Sequence, residues 1–218
     1  MNVVFLVCHV DDAVLGAGGT AQRMLDAGHT IDVVYVTEDY NYHPEKNYDN
    51  REEARQAWSV LGLDEDRIHF LDFPTMKLDT EALIDVNIAF EETGLQPDVI
   101  FTLDESDVNQ DHWTAYNSAM VVGRSIDRQI GIVTMEVLSS TEWGEGEFQP
   151  NYYVDVEGRV ETKIEAMSNV ESEMEEWPHP RSAKGIETKA RQRGMEVGYD
   201  YAEAFRLVRW FDFAEQLV

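Results

Sequence analysis

Histidine and aspartate side chains occur together in two short segments that are far apart in the sequence. His9, Asp11 and Asp12 lie within four residues, directly after an apolar stretch, and His112 closes a second polar segment that begins at residue 104. An imidazole and a carboxylate from the first segment, with an imidazole from the second, form a ligand set that suits a catalytic zinc. Helix capping by an aspartate, with His112 as an ordinary helix-start residue, needs no metal. A divalent metal is the interpretation that uses all these side chains.

The elements that position the two segments follow from the apolar pattern. Short β-branched stretches alternate with stretches of helical periodicity. The predicted strands are residues 3–7, 31–36, 68–73, 98–103 and 132–138, and the predicted helices are residues 14–27, 51–61, 80–93 and 113–128. This alternation indicates βαβ units, and therefore a Rossmann-like α/β fold with a mostly parallel sheet and helices on both faces. Loops at the carboxyl ends of such strands form the site, and both polar segments lie there.

The last third of the chain predicts a C-terminal elaboration of the same domain. After a loop at residues 139–151 come a strand at 152–156, helical segments around 163–176 and 182–197, and an apolar run at 201–213. We interpret the acidic residues 171–176 as a solvated helix face. No repeat or low-complexity linker divides the chain, so residues 1–218 are predicted to form a single domain.

A glycine-rich stretch supports a competing interpretation. Gly16, Gly18 and Ala21 fit the dinucleotide pattern G-x-G-x-x-G/A, and Glu38 and Asp39 follow about 20 residues later, where a ribose-binding acid would lie. The glycines do not follow the strand directly, however, and the preceding aspartates would repel a pyrophosphate. We therefore predict that the glycines pack the first helix closely against the sheet. A nucleotide-binding protein that uses this glycine run is kept as the alternative.

Composition limits the classes of partner. The 218 residues contain 17 Lys and Arg against 43 Asp and Glu, which gives a net charge of −26. Such a chain is repelled by nucleic acids and anionic lipid surfaces, and its acidity is typical of a heavily hydrated surface, as in organisms living at high salt. The single cysteine, Cys8, forms no intramolecular disulfide and is predicted to be a buried structural thiol. The N-terminus lacks a secretory signal or membrane-spanning pattern, so we expect a cytoplasmic protein without membrane insertion.

Several segments together resemble one family. The residues 9–13, His-Val-Asp-Asp-Ala, are followed by a glycine-rich stretch at 15–19 and resemble the His-Pro-Asp-Asp-Glu opening of the PIG-L (LmbE-like) zinc-dependent de-N-acetylases. Residues 109–112, Asn-Gln-Asp-His, resemble the second motif of that family, His-x-Asp-His. Arg51 and Glu52 at the start of a helix, residues 179–182 and residues 201–206 also match. The resemblance therefore extends from the first strand almost to the C-terminus.

The resemblance implies a reaction and a role for each matching residue. His9, Asp12 and His112 would bind Zn²⁺, or another divalent metal, and Asp11 would be the general base toward a zinc-activated water. Arg51 would reach the sugar. The expected activity is removal of the N-acetyl group from an N-acetyl-amino sugar or sugar conjugate of N-acetylglucosamine type. Because relatives are commonly homo-oligomeric, we expect the same of this chain.

Three departures from the family pattern bear on activity. Val10 replaces the proline and Ala13 replaces the glutamate of the first motif. Asn109 stands where the family often has a histidine, so it would donate a hydrogen bond to the oxyanion without carrying a charge. Asp111 would position its neighbours from behind the metal ligands. Ala13 and Asn109 support a second alternative, a catalytically weakened relative that binds sugar or serves in assembly.

Two aromatic residues in predicted loops are further candidates. His43 and Trp143 would line a sugar site, although each is equally consistent with an ordinary surface loop residue.

Overall fold

A mixed β-sheet forms the centre of the computed structural model, which describes residues 1–38, 48–126 and 128–212. Within these residues the sheet has seven strands in the order β3-β2-β1-β4-β5-β7-β6. Strands β1 to β5 are parallel, and β7 runs antiparallel to both β5 and β6. The strands are β1 (Asn2–Val7), β2 (Thr30–Thr37), β3 (Ile68–Phe73), β4 (Val99–Leu103), β5 (Gly131–Met135), β6 (Tyr152–Asp155) and β7 (Ala202–Arg209). The predicted mostly parallel α/β sheet is thus confirmed.

Helices cover the sheet in two groups. The helices are α1 (Asp12–Asp26), α2 (Asn50–Leu61), α3 (Leu83–Glu92), α4 (Gln110–Val122), α5 (Val160–Met167) and α6 (Ala183–Val197). Helices α1, α2 and α5 contact one another and α6 contacts α5, whereas α3 and α4 form a separate pair. No helix among the described residues is long and apolar enough to cross a membrane.

The central strands are buried on both faces, as their continuous apolar sequences predict. Phe5 on β1 packs against Trp58 and Phe101, with ring centroids 5.8 and 5.1 Å apart, and all three side chains are buried. The indole Nε1 of Trp58 donates a hydrogen bond to the hydroxyl of Tyr35 at 2.8 Å. This core holds β1, β2 and β4 in register, and these strands carry the residues discussed below.

Close packing explains the glycine run in α1. A Cβ added to Gly16 would lie 2.6 Å from the Sδ of Met135, and one added to Gly19 would lie 2.9 Å from a methyl carbon of Val156. Gly16, Gly18 and Gly19 are buried. The close-packing prediction is confirmed, because these positions contact β5 and the β6–α5 turn and are closed to a nucleotide phosphate. Glu38 lies at the end of β2, and the predicted partner Asp39 is outside the described residues.

Several predicted boundaries were wrong for local reasons. The helix predicted at 113–128 is α4, which begins at Gln110 because Asn109 accepts a hydrogen bond from the backbone N–H of Asp111 and caps it. The strand predicted to reach residue 138 ends at Met135, where the chain turns and the hydroxyl of Thr141 accepts a hydrogen bond from the Val137 amide.

The helix predicted at 163–176 was also misplaced. It is α5, which begins at Val160 and ends at Met167. The hydroxyl of Ser168 donates to the carbonyl of Ile164, and the side-chain amide of Asn169 donates to the carbonyl of Glu165. The backbone N–H groups of Asn169 and Val170 then bond to carbonyls three residues back instead of four, so the α-helix ends at Met167. The interpretation of residues 171–176 as a helix face was therefore wrong.

Candidate metal centre and catalytic site

Adjacent parallel strands bring the two polar segments together. β1 pairs with β4, and the chain leaves the carboxyl ends of both strands at the same edge of the sheet. The loop after β1 carries His9, Asp11 and Asp12, and the loop after β4 leads to His112 in the first turn of α4. Both segments thus meet at the sheet edge where the sequence predicted a site.

Three side chains converge into one cluster. The Nε2 of His112 lies 3.2 Å from Oδ1 of Asp12 and 3.2 Å from Nδ1 of His9. One ligand atom from each of the three residues lies within 4.8 Å of the others. Two imidazole nitrogens that face each other and a carboxylate need a proton or a cation between them. Two nitrogens and one oxygen are also the donor set of tetrahedral zinc sites with one open position, so these residues fit a zinc ion.

A second carboxylate stands behind each imidazole. The outward Nε2 of His9 lies 3.2 Å from Oδ2 of Asp111, and the outward Nδ1 of His112 lies 3.1 Å from Oδ2 of Asp107. A carboxylate on the outer nitrogen holds the N–H tautomer there and leaves the inner nitrogen free to bind a metal. Asp111 thus lies behind His9, and the positioning role that the resemblance implied for it stays a prediction. The sequence assigned no role to Asp107.

The electrostatics of the cluster favour positive charge. Burial lowers the pKa of the His112 imidazole, but the charges of Asp12 and Asp107 outweigh this effect and raise the pKa to about 9. Burial likewise opposes protonation of His9, yet Asp12 and Asp111 raise its pKa well above the ordinary value. Conversely, the two imidazoles lower the pKa of Asp12 against the effect of burial. The same field that favours a proton here would stabilise a bound cation.

Neither aspartate of the first loop caps helix α1, so the capping interpretation was wrong. Asp11 occupies the N-cap position without a side-chain hydrogen bond to the helix. Oδ2 of Asp12 accepts from the backbone amides of Cys8 and His9, at 3.1 and 2.8 Å. These bonds turn the Asp12 carboxylate back toward the strand end, where it faces both imidazoles. The Cys8 thiol is buried, as predicted, and donates to the carbonyl of Asp111 at 3.0 Å.

Arg181 joins the site from the segment that precedes α6. Its Nη1 donates to Oδ2 of Asp11 at 3.2 Å and also pairs with Glu173. Burial and the charge of Asp12 raise the pKa of Asp11, while the Arg181 guanidinium opposes that rise. Burial and the charge of Asp11 raise the pKa of Glu173 to about 7. In the sequence, Arg181 stood out only as part of residues 179–182, which match the family. No periodicity or spacing indicated that its side chain would contact Asp11.

The cluster opens into a cavity of about 800 Å³. Asn109 lines this cavity, while Asp111 anchors its wall by accepting hydrogen bonds from the Met76 and Leu78 amides, at 2.6 and 3.1 Å. The oxygen of the Asn109 side chain is used by the helix cap, and its amide nitrogen lies 4.0 Å from the Sδ of Met76.

Three other candidates fall outside the cavity lining or outside the described residues. Arg51 does not line the cavity. It pairs with Asp72 and lies 4.7 Å above the ring of Phe70, which does line the cavity. Trp143 does not line it either: its side chain is 60% exposed, and its ring contacts that of His179 edge-on. His43 lies outside the described residues.

The sequence and the fold are similar to those of known proteins. The diacetylchitobiose deacetylase of Thermococcus kodakarensis is 24% identical over 237 aligned residues, which cover 95% of this chain and 83% of the relative. The structure of N,N'-diacetylchitobiose deacetylase from Pyrococcus horikoshii with an inhibitor superposes with a TM-score of 0.77 at 20% identity, over 98% of this chain and 88% of that one.

A hydratase shares the fold as well. The 4-carboxy-2-hydroxymuconate hydratase GalB from Pseudomonas putida superposes with a TM-score of 0.70 at 18% identity, over 97% of this chain and 98% of that one. Likeness at these identities establishes the fold, and fold alone does not set the reaction. The family described as PIG-L, GlcNAc-PI de-N-acetylase, matches residues 4–122, which is more than half of the sequence. The chain therefore belongs to the PIG-L family.

Proposed function

We propose that this protein is a zinc-dependent hydrolase that removes the N-acetyl group from an N-acetyl-amino sugar or sugar conjugate of N-acetylglucosamine type. The observation that carries the proposal is the convergence of His9, Asp12 and His112 beside Asp11 at the end of a large cavity. Family membership and the two relatives named as diacetylchitobiose deacetylases support an N-acetylated sugar as substrate.

The metal would supply the activation that amide hydrolysis needs. Zn²⁺ bound by the three residues would lower the pKa of a water and polarise the acetyl carbonyl.

Asp11 is suited to carry the proton in this reaction. Its residue surface is 4% exposed and it lines the cavity, so a substrate in the cavity would shield it further from bulk water. A raised pKa brings a carboxylate closer to the range in which it both accepts a proton from water and returns it to the leaving amine. Arg181 orients the carboxylate, and its positive charge opposes the rise in the pKa of Asp11.

The remaining residues of the proposed site bind and position. Asn109 would direct its side-chain amide toward the carbonyl oxygen, and Asp111 would hold His9 in the ligand orientation. Arg51 contacts the cavity wall through Phe70, so its contact with the sugar stays a prediction that requires a change in its pairing with Asp72.

Metal content and acetate release on matched variants test the proposal. Asp11→Asn should retain zinc and lose about 10²- to 10⁴-fold in turnover, because the base is lost while the ligands remain. His112→Ala should lose zinc. His69→Ala is the matched control, because His69 pairs with Asp32 at 3.0 Å and does not line the cavity, so zinc and activity should be unchanged.

Three outcomes would count against the proposal. A fully active Asp11→Asn enzyme would exclude Asp11 as the base. Metal-loaded protein that releases no acetate from any N-acetyl sugar would exclude the deacetylase. The remaining explanations would then be a catalytically weakened relative that binds sugar, or a different reaction on the same fold, as in the hydratase. Zinc binding by His112→Ala with wild-type affinity would exclude the ligand set.

A further inference from the structure

An exposed indole stands at the mouth of the cavity, next to a metal ligand. Trp113 follows His112 directly and lines the cavity, yet 48% of its surface is exposed, whereas His112 is 2% exposed. The indole Nε1 donates a hydrogen bond to the carbonyl of Asp107 at 2.6 Å. The ring is therefore held in place with its only polar atom already used, and it offers the cavity an apolar surface.

Two apolar neighbours extend this surface. Val108 and Met76 also line the cavity and are 52% and 49% exposed. Large exposed apolar side chains that line a polar cavity are a feature of ligand sites, because their apolar surface stays in contact with water unless a ligand covers it. A fixed aromatic ring binds at a low cost in conformational entropy, and the C–H face of a pyranose ring is the apolar surface of a sugar.

The depth of the metal cluster separates the reacting sugar from this surface. Asp12 and His112 are almost fully buried, so an acetamido group that reaches them brings its own ring into the inner part of the cavity. The volume of about 800 Å³ lies in the upper part of the roughly 300–1,000 Å³ range for ligand pockets, which is more than one pyranose ring fills. The next unit of the substrate would then lie at the mouth, against Trp113.

The charges around the cavity select against an anionic unit there. Glu38, Glu173 and Glu175 line the cavity, and Glu38 and Glu175 are exposed. Among the described lining residues Arg181 is the single Lys or Arg, and it already pairs with Asp11 and Glu173. A phosphate or carboxylate on the substrate would meet repulsion at this mouth with no unpaired cation from those residues to offset it.

We propose that Trp113, with Val108 and Met76, forms a second subsite that takes an uncharged sugar ring linked to the reacting N-acetyl sugar. The substrate is then a neutral oligosaccharide or neutral glycoside rather than a sugar phosphate. This inference rests on the proposed deacetylase function, because it assumes that the acetamido group lies at the metal cluster.

Acetate release by the zinc-loaded enzyme from N-acetylglucosamine, N,N'-diacetylchitobiose and N-acetylglucosamine 1-phosphate tests the subsite. In Trp113→Ala the ratio of kcat/KM for the disaccharide to that for the monosaccharide should fall about tenfold, whereas kcat/KM for the monosaccharide should change less than about twofold. Trp113→Phe should recover part of the ratio. Trp143→Ala is the matched control, since it removes an exposed indole outside the cavity lining and should leave the ratio unchanged.

The expected discrimination against anionic substrates is measured separately, by the salt dependence of kcat/KM. The wild-type kcat/KM for the sugar phosphate should be the lowest of the three at low salt, and it should rise toward the monosaccharide value when added salt screens the glutamates. Glu175→Gln should produce part of the same rise. A sugar phosphate that is used as well as the disaccharide would overturn the inference, as would equal losses on monosaccharide and disaccharide in Trp113→Ala.

A misfolded variant and a failure of the proposed deacetylase function can both be distinguished from the absence of the subsite. Circular dichroism and zinc content check each variant, and if Trp113→Ala does not fold, the ratio measured on Trp113→Phe decides. If no sugar releases acetate, the deacetylase function fails, and calorimetric binding of diacetylchitobiose then tests the subsite. Weaker binding to the Trp113 variant than to wild type would support the subsite, and equal binding would overturn it.

Discussion

Replacing Asp107 by Asn changes the charge behind His112, one of the three proposed metal ligands, and leaves all three of those residues in place. Asp107 is 2% exposed, and its Oδ2 lies 3.1 Å from Nδ1 of His112. Its carboxylate also accepts hydrogen bonds from the hydroxyls of Thr141, at 2.8 Å, and Ser140, and from the backbone N–H of Asn109 at 2.8 Å. An asparagine has the same shape but one fewer acceptor oxygen. If its amide nitrogen faces His112, the imidazole must carry its proton on Nε2, where it cannot bind a metal.

The size of the effect follows from this geometry. Loss of a carboxylate behind a metal-binding histidine costs about 10- to 100-fold in metal affinity, which is about 1.4–2.7 kcal/mol. We expect the upper part of that range for Asp107→Asn, because the pair is buried and the Nδ1 of His112 has no other hydrogen-bond partner among the described residues. Competition between the protein and a chromophoric chelator for zinc, at fixed pH and salt, measures the change directly.

Asp104→Asn provides the matched control. Asp104 belongs to the same loop and is 1% exposed, but its carboxylate accepts from the Ser106 amide at 3.0 Å and from the Thr134 hydroxyl at 2.5 Å instead of from an imidazole. This variant should lose stability with a zinc affinity within about twofold of wild type. If Asp107→Asn binds zinc as tightly as wild type, or if both variants lose affinity equally, the assignment of Asp107 as a positioning residue is wrong.

Three further substitutions test the fold that carries the site. Gly16→Ala should cost about 1–3 kcal/mol in urea unfolding because the added methyl meets a methionine sulfur, and a neutral result would contradict the close-packing explanation. Lys163→Met leaves the buried Glu203 carboxylate without its ammonium partner at 2.7 Å and should cost about 3–5 kcal/mol, whereas the double variant with Glu203→Gln should recover part of it. Burial raises the pKa of Glu136, but hydrogen bonds from Arg193 outweigh burial and lower it. Glu136→Gln should therefore be destabilised by about 1–3 kcal/mol at pH 7, and the difference from wild type should shrink as the pH falls below the ordinary Glu pKa. A difference that grows on acidification would mean that the sign of the shift is wrong.

The parts of the site that the sequence predicted share one physical property. His9, Asp12 and His112 follow strands whose continuous β-branched sequences mark them as buried and parallel. Once those strands are parallel neighbours, their carboxyl ends meet and the polar loops are near one another. Local sequence and one topological rule predicted that the two loops meet, and the family resemblance selected Asp12 over Asp11 as a ligand. The structure brings the three side chains together although His9 and His112 are 103 positions apart, and their role as metal ligands stays a prediction.

The parts that the sequence did not predict depend on contacts without a local signal. Arg181 pairs with Asp11 from the segment that follows the early end of α5 at Met167, whereas the sequence pattern predicted a longer helix there. The Asp107 carboxylate that faces His112 is also bound by the hydroxyl groups of Ser140 and Thr141, which are more than 30 residues away in the sequence. Neither the spacing nor the periodicity of the sequence predicts such contacts, because they depend on where a loop distant in sequence lies in the folded chain.

The acidity of the chain has two physically distinct components. The carboxylates of Asp12, Asp107 and Asp111 are each at most 2% exposed, and Asp11 is 4% exposed, so these four are no part of a hydrated surface. Four buried negative groups at one sheet edge would repel one another strongly if only Arg181 opposed them. Protons on the imidazoles relieve this repulsion in part, which is the reason their pKa values rise. A divalent cation between the imidazoles and Asp12 would relieve it without protons and would leave Asp11, which pairs with Arg181, beside the cavity. The arrangement of these carboxylates therefore supports the proposed cation site with Asp11 as a separate base, however acidic the outer surface is.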